Sequence, residues 1–235
     1  MNSPFRQNTI RPRLFLLFSL LSIGFSAAAQ EYKVVQDLHL WSGIKLEKRL
    51  DGNWSLFVAE EIRLKHNISE INKHFTETGL RYRINKNFAL EGQYRITRDK
   101  KKNGIYETLT RYAFDLRYKG KLDFITIYYR LRYQKEVEEW NLLDSDIPYE
   151  KYLRNRISVR YNQFHKIKPY LSAEIFQLFE PDQIARYENI RIFGGVKYNH
   201  FRAGEINLAF GFNHEINVIQ PAMIYLLKLN YTYSF

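Results

Sequence analysis

Long runs of this chain alternate apolar and polar residues one for one, and that period of two rules out a helical fold for most of its length. Leu80, Tyr82 and Ile84 alternate with Arg81 and Arg83, and Phe88, Leu90, Tyr94 and Ile96 with Glu91, Gln93 and Arg95. Tyr112, Phe114, Leu116 and Tyr118 interleave with Arg111, Asp115 and Arg117. Ile125, Ile127, Tyr129, Leu131 and Tyr133 interleave with Thr126, Tyr128, Arg130 and Arg132, and Leu153, Ile157, Val159 and Tyr161 with Arg154, Arg156, Ser158 and Arg160. Successive side chains of a strand point to opposite faces, whereas a helix repeats every ~3.6 residues. Each run therefore reads as a strand with one apolar and one charged face.

Turn signals divide the chain into such runs. They lie near Val34–Leu50, Trp54–Leu64, Glu77–Ile84, Phe88–Arg98, Tyr106–Tyr118, Leu122–Gln134, Glu150–Tyr161, Tyr170–Leu178, Arg186–Tyr198, Glu205–His214 and Ala222–Phe235. Asp51-Gly52-Asn53, Asn85-Lys86-Asn87 and Lys119-Gly120-Lys121 are the tight connections, with 162–168 and 199–204 somewhat longer. The opposite connections, at 65–76, 99–105, 135–149, 179–185 and 215–221, are longer or more polar. Regular short strands without helical periodicity predict an all-β protein. Connections that are short at one end and long at the other fit an antiparallel up-and-down transmembrane β-barrel.

Both termini agree with that reading. The chain ends Leu227-Lys228-Leu229-Asn230-Tyr231-Thr232-Tyr233-Ser234-Phe235, alternating up to its last residue. Chain ends of soluble domains fray, but the last strand of a barrel must pair with the first. Tyr231, Tyr233 and Phe235 are therefore expected to face lipid and to form the terminus that barrel assembly machinery receives. At the other end, Arg11 and Arg13 precede an apolar run, Leu14–Phe25, too short to cross a bilayer as a helix. Ala27-Ala28-Ala29 follows as a cleavage site, so 1–29 reads as a signal peptide and 30–235 as an outer-membrane β-barrel. A mean hydropathy of −0.45 excludes a helical membrane protein. With no cysteine, there is neither a disulfide framework nor a thiolate metal site.

Two features strain the scheme. Glu60 falls on the apolar face of Trp54, Leu56, Val58 and Ile62, which predicts a bulge at Ala59–Glu61 or a place near the rim. The runs number eleven, while bacterial single-chain barrels have even counts. A barrel of about 12 strands, or 10, is expected, with either two short strands within Glu31–Leu50 or one misplaced boundary.

The charged face is where chemistry would sit. Its arginines are Arg81, Arg83, Arg95, Arg111, Arg117, Arg130, Arg132, Arg154, Arg156, Arg160 and Arg191, and its acids are Glu61, Glu77, Glu91, Asp115 and Glu174. Arginine–carboxylate forks between strands knit a small lumen together. The excess of arginine keeps open a second role, selection of anionic solutes. Subtracting Arg6, Arg11 and Arg13 from the formal charge of +11 leaves +8, and after export this favours lipid headgroups or a small anionic solute over nucleic acid.

Catalytic signals are weak. The six histidines, His39, His66, His74, His165, His200 and His214, lie mostly at turns and strand ends, and no G-x-S-x-G or H-E-x-x-H pattern occurs. The acidic stretch around Glu136, Glu138, Glu139, Asp144, Asp146 and Glu150 matches no EF-hand spacing and reads as a solvated loop. No catalytic residue, metal or cofactor is expected.

Several short motifs carry a resemblance. They are Trp41, Trp54-Ser55-Leu56, Ala59-Glu60-Glu61-Ile62-Arg63, Leu80-Arg81-Tyr82-Arg83, Glu91-Gly92-Gln93-Tyr94-Arg95 and Leu153-Arg154-Asn155-Arg156. Together the chain resembles the small bacterial outer-membrane barrels grouped as domain of unknown function 2490. The resemblance implies a β-barrel and brings no activity. The reading is thus a monomeric, non-enzymatic structural or binding barrel, or a narrow pore, with an arginine-rich lumen. A lipid-modifying enzyme with a rim site at His214 or His66 and a soluble periplasmic ligand-binding barrel stand as alternatives.

Overall fold

In the computed structural model, residues 35–235 are described, apart from 51, 102–103, 139–148, 181–183 and 201–203. The leader expected over 1–29 and most of the acidic loop lie outside these residues. The described residues form eleven strands: β1 Val35–Arg49, β2 Trp54–Lys65, β3 Glu70–Arg83, β4 Phe88–Lys100, β5 Tyr106–Leu122, β6 Ile125–Glu138, β7 Tyr149–Tyr161, β8 Ile167–Phe179, β9 Arg186–His200, β10 Gly204–Glu215 and β11 Ala222–Ser234. Each pairs with the next in antiparallel fashion, and β1 closes on β11 to make a barrel.

The count corrects the expectation of about 12 or 10 strands. Antiparallel neighbours alternate in direction, so the eleventh strand runs the same way as the first. The ring then closes through a parallel ladder, from Val35 opposite Ala222 to Glu47 opposite Ser234. β1 is a single strand, not two. At the end of the seam Phe235 donates its backbone N–H to Glu47 and accepts one from Arg49, both at 3.0 Å. The last residue of the chain is held in the wall rather than left to fray.

Strand edges shift in two other places. The expected turn at Lys119-Gly120-Lys121 is strand, and the chain reverses at Asp123-Phe124, with Asp123 in left-handed conformation at φ 37°. A short polar side chain tolerates that geometry. β3 begins at Glu70, so much of the expected loop 65–76 is also strand. Its outer positions there, His74 and Thr76, are polar, which hides the alternation. Those two side chains also account for Glu60. The register runs unbroken through Ala59–Glu61, and the bulge lies at Arg63/Leu64 instead. Glu60 stays on the outer face, where Thr76 donates to it at 2.6 Å and His74 Nε2 lies 3.0 Å away.

The barrel is turned inside out relative to a soluble fold. Phe114 is 65% exposed on the outer face while its neighbour Asp115 is 2% exposed within. Leu56, Leu90, Leu171, Leu208, Phe210 and Leu229 also stand exposed outside. Glu91, Arg111, Arg132, Arg154 and Glu174 are buried inside. Close to the tight turns, outer aromatic pairs form a belt: Trp54–Tyr82 at 4.7 Å between ring centroids, Phe88–Tyr118 at 5.1 Å, Phe124–Tyr161 at 5.7 Å and Tyr233–Phe235 at 5.8 Å.

Candidate functional site

The alternation that builds each strand also sends its charged residues to the barrel interior, and the register sets them side by side. Across β5 to β8, Arg117 lies opposite Arg130, Arg130 opposite Arg156, and Arg156 opposite Glu174. In the next row Asp115 lies opposite Arg132 and Arg132 opposite Arg154. Like charges directly opposed across a sheet repel, so such rows need compensation.

A mesh of ion pairs supplies much of it. Arg132 donates from Nε and Nη2 to the two oxygens of Asp115 at 2.6 and 2.8 Å, the bidentate fork that suits a guanidinium. Arg117 reaches Glu91 at 2.7 Å and Asp115 at 3.0 Å. Arg81 bridges Glu91 at 2.6 Å and Glu47 at 2.7 Å. Glu77 accepts from Arg95 at 2.7 Å and Arg111 at 2.9 Å. Glu174 accepts from Arg130 at 2.5 Å and Arg154 at 2.9 Å, and Arg154 also donates to Gln134 at 2.9 Å. Glu61 takes Arg63 at 2.7 Å. Every acid named from the sequence, Glu61, Glu77, Glu91, Asp115 and Glu174, is thus engaged by at least one arginine.

Aromatic rings on the same inner face take up other cations. Trp41, Phe193, Ala209 and Leu226 pack together on one wall, with Trp41 and Phe193 edge to face at 6.0 Å. Arg191 stands over Trp41 at 4.9 Å and Phe176 at 4.6 Å, and it donates to Asn213 at 3.1 Å. Arg95 lies 3.5 Å from the ring of Phe75, and Lys45 lies 3.9 Å from Phe57. A ring face attracts a cation, and more so away from water. Phe57 has room because Gly79 lies beneath it; a Cβ there would sit 2.5 Å from its Cζ.

The inward phenylalanines, and Glu47, were missed in the sequence reading, which gave phenylalanines to the outer face. The available signal was position: Phe75, Phe176 and Phe193 each share parity with a charged neighbour two residues away, and Phe57 shares it with Glu61 four residues on. Between the rings and the ion pairs lies a cavity of about 430 Å³, bordered by Glu61, Arg95, Arg156, Glu174 and Lys228 among others.

Besides Arg191, three of the named arginines stand apart from the mesh of ion pairs. Arg83 borders a second cavity at the tight-turn mouth. Arg160 donates to Asn162 at 3.0 Å and lies over the ring of Tyr128 at 4.8 Å. Arg156 has no hydrogen-bond or ion-pair partner among the described residues.

Residues 38–216 match the family described as Protein of unknown function (DUF2490). The chain belongs to this family. No curated protein and no solved structure matches it. The DUF2490 membership agrees with the resemblance carried by the short motifs around Trp54, Glu60, Arg81, Glu91 and Arg154.

In this DUF2490 barrel the histidines occupy the long-loop rim or the outer face, except His165 in the connection between β7 and β8 at the tight-turn end. His66 Nδ1 contacts Glu70 at 2.7 Å, and His39 Nε2 contacts Asp37 at 2.8 Å. The Ser69 hydroxyl donates to the backbone oxygen of His66, not to its ring. His214 Nδ1 is buried without a partner. Among the described residues neither the His66 ring nor the His214 ring holds a serine or threonine hydroxyl. At Glu60 the carboxylate stands between Thr76 and His74, so the hydroxyl there faces an acid and not the imidazole.

Proposed function

We infer that this chain is a non-enzymatic outer-membrane β-barrel of a bacterium, exported by a leader over 1–29, whose arginine-rich lumen is a binding chamber. Its tight turns face the periplasm, and Phe235 ends the strand offered to the assembly machinery. The protein works as a monomer in contact with lipid.

The observation that carries this reading is the inverted distribution of polarity, with ion pairs within and large apolar side chains without. A buried carboxylate–guanidinium fork is tolerable where every charge is matched. An apolar surface that wraps a whole barrel far exceeds the isolated patches a soluble monomer exposes, and lipid is its natural solvent. The belt that includes Trp54, Tyr82, Phe88, Tyr118 and Phe235 fits the headgroup level, where amphipathic rings collect. Glu60, on the outer face, is paired with His74 and Thr76, which lessens its cost there.

A chamber is favoured over an open pore because the mesh and the rings occupy the interior from both walls. Mobility of the unheated protein in a detergent gel tests the location: a membrane-fraction protein whose band shifts on heating is expected. A soluble, heat-insensitive protein would sink the reading. In planar bilayers the refolded protein is expected to add no steady conductance, and ion-selective steps would make it a pore instead.

A further inference from the structure

One part of the interior gathers more cations than acids. A cavity of about 280 Å³ in the half of the barrel nearer the tight turns is bordered by Arg117, Arg130, Arg156, Arg160 and Lys197, with Tyr128, Tyr170 and Ser158. No carboxylate is among its lining residues, although Lys197 pairs with Glu205 just beyond them at 2.5 Å. Arg117, Arg130 and Arg156 stand directly opposite one another on three successive strands. Arg117 and Arg130 turn other nitrogens to Glu91, Asp115 and Glu174, yet the Nε of each is buried with no hydrogen-bond partner. Arg156 makes no hydrogen bond or ion pair among the described residues, although Glu174 lies opposite it on the next strand, and Arg160 has only an amide and a ring.

Buried guanidinium N–H groups left unpaired cost stability, and so does a row of like charges. The neighbouring mouth adds to the imbalance. Its cavity, of about 880 Å³, shares Arg117, Tyr118 and Tyr128 with the inner one and is bordered by Arg81, Arg83, Lys86, Lys119 and Lys121, again with no acid. A cleft lined by one sign of charge draws in the opposite ion.

We propose that this pocket binds a phosphate group carried on a small body, entering from the tight-turn mouth, with Arg156 and Arg160 as its principal holders. Planar guanidinium forks match phosphate oxygens two at a time, and a dianion brings two charges and three oxygens where a carboxylate brings one charge and two oxygens. Tyr128 and Tyr170 give the attached body an aromatic wall. The proposal deepens the chamber reading and rests on it for the side from which the ligand arrives. Two sources offer this chemistry, a soluble phosphate ester and a phospholipid headgroup.

The test is calorimetric titration of the full-length protein, refolded in a neutral detergent, with inorganic pyrophosphate and separately with phosphatidylglycerol in mixed micelles. Binding of either supports the proposal, and the one that binds names the source. Arg156→Gln and Arg160→Gln should each weaken it about tenfold, the loss expected for one charge-assisted hydrogen bond, while Arg98→Gln on the outer face leaves it unchanged. Independently of binding, Arg156→Gln should raise the urea midpoint without ligand and reduce the stabilisation that pyrophosphate gives the native protein. A heat-modifiable barrel that binds neither ligand, binds acetate equally well, or binds unchanged in both variants overturns the pocket alone. Pyrophosphate binding by a soluble, heat-insensitive protein would keep the pocket and overturn the membrane reading.

Discussion

Arg132 grips Asp115 through both carboxylate oxygens, at 2.6 and 2.8 Å, with both side chains withdrawn from water inside the barrel. Asp115 also takes Arg117 at 3.0 Å, so one acid joins two adjacent strands of arginines. The fork ties β5 to β6 at the level where the like-charged rows meet.

Asp115→Asn therefore leaves Arg132 buried without its counter-ion. The expected loss is about 3–5 kcal/mol, as for other buried pairs broken on one side. Asp115→Leu combined with Arg132→Met should recover most of that loss, because no charge is then stranded. Urea unfolding in vesicles, followed by tryptophan fluorescence, reads both. A double variant as unstable as the single one would mean that the pair is not an isolated stabilising unit.

The parallel seam makes a geometric prediction. Ser42 lies opposite Leu229, and the chain has no native cysteine to interfere. In Ser42→Cys/Leu229→Cys, mild oxidation should join β1 to β11, since facing Cβ atoms of paired strands fall near the span a disulfide needs. The same pair moved out of register, Ser42→Cys with Asn230→Cys, should not cross-link, because those side chains point to opposite faces. A twelfth strand inserted between β1 and β11 would abolish the first cross-link. Non-reducing gels of the folded protein decide it.

Gly79 tests the inner aromatic layer. Gly79→Ala places a methyl against the Phe57 ring and should cost about 1–3 kcal/mol, the usual penalty of overpacking. Phe57→Leu in the same chain should relieve part of it. If Gly79→Ala is as stable as the native protein, Phe57 does not pack on that glycine.

Much of the fold is legible in the chain. Alternation along Leu80–Ile84, Tyr112–Tyr118 and Ile125–Tyr133 marks strands and their two faces, because a strand's side-chain period depends only on local backbone geometry. Where polar residues occupy the outer face, as at His74 and Thr76, the signal fades and β3 is read seven residues short at its start. The turn at Asp123 was displaced onto Lys119-Gly120-Lys121 because glycine advertises a turn more loudly than a left-handed aspartate does. Aromatic Phe57, Phe75, Phe176 and Phe193 went unread as interior residues, since hydrophobicity argued for one face and parity for the other.

Local pattern alone determined that this protein is all-β, that its strands have one charged and one apolar face, and which arginines share the charged side. Closure was decided elsewhere. Whether β1 meets β11 in parallel depends on strands at opposite ends of the chain, and no local residue pattern records their direction relative to each other. The partners of each arginine were likewise set by register. Asp115 meets Arg132, and Arg117, Arg130 and Arg156 fall into one row, only because hydrogen-bonded strands bring those positions side by side.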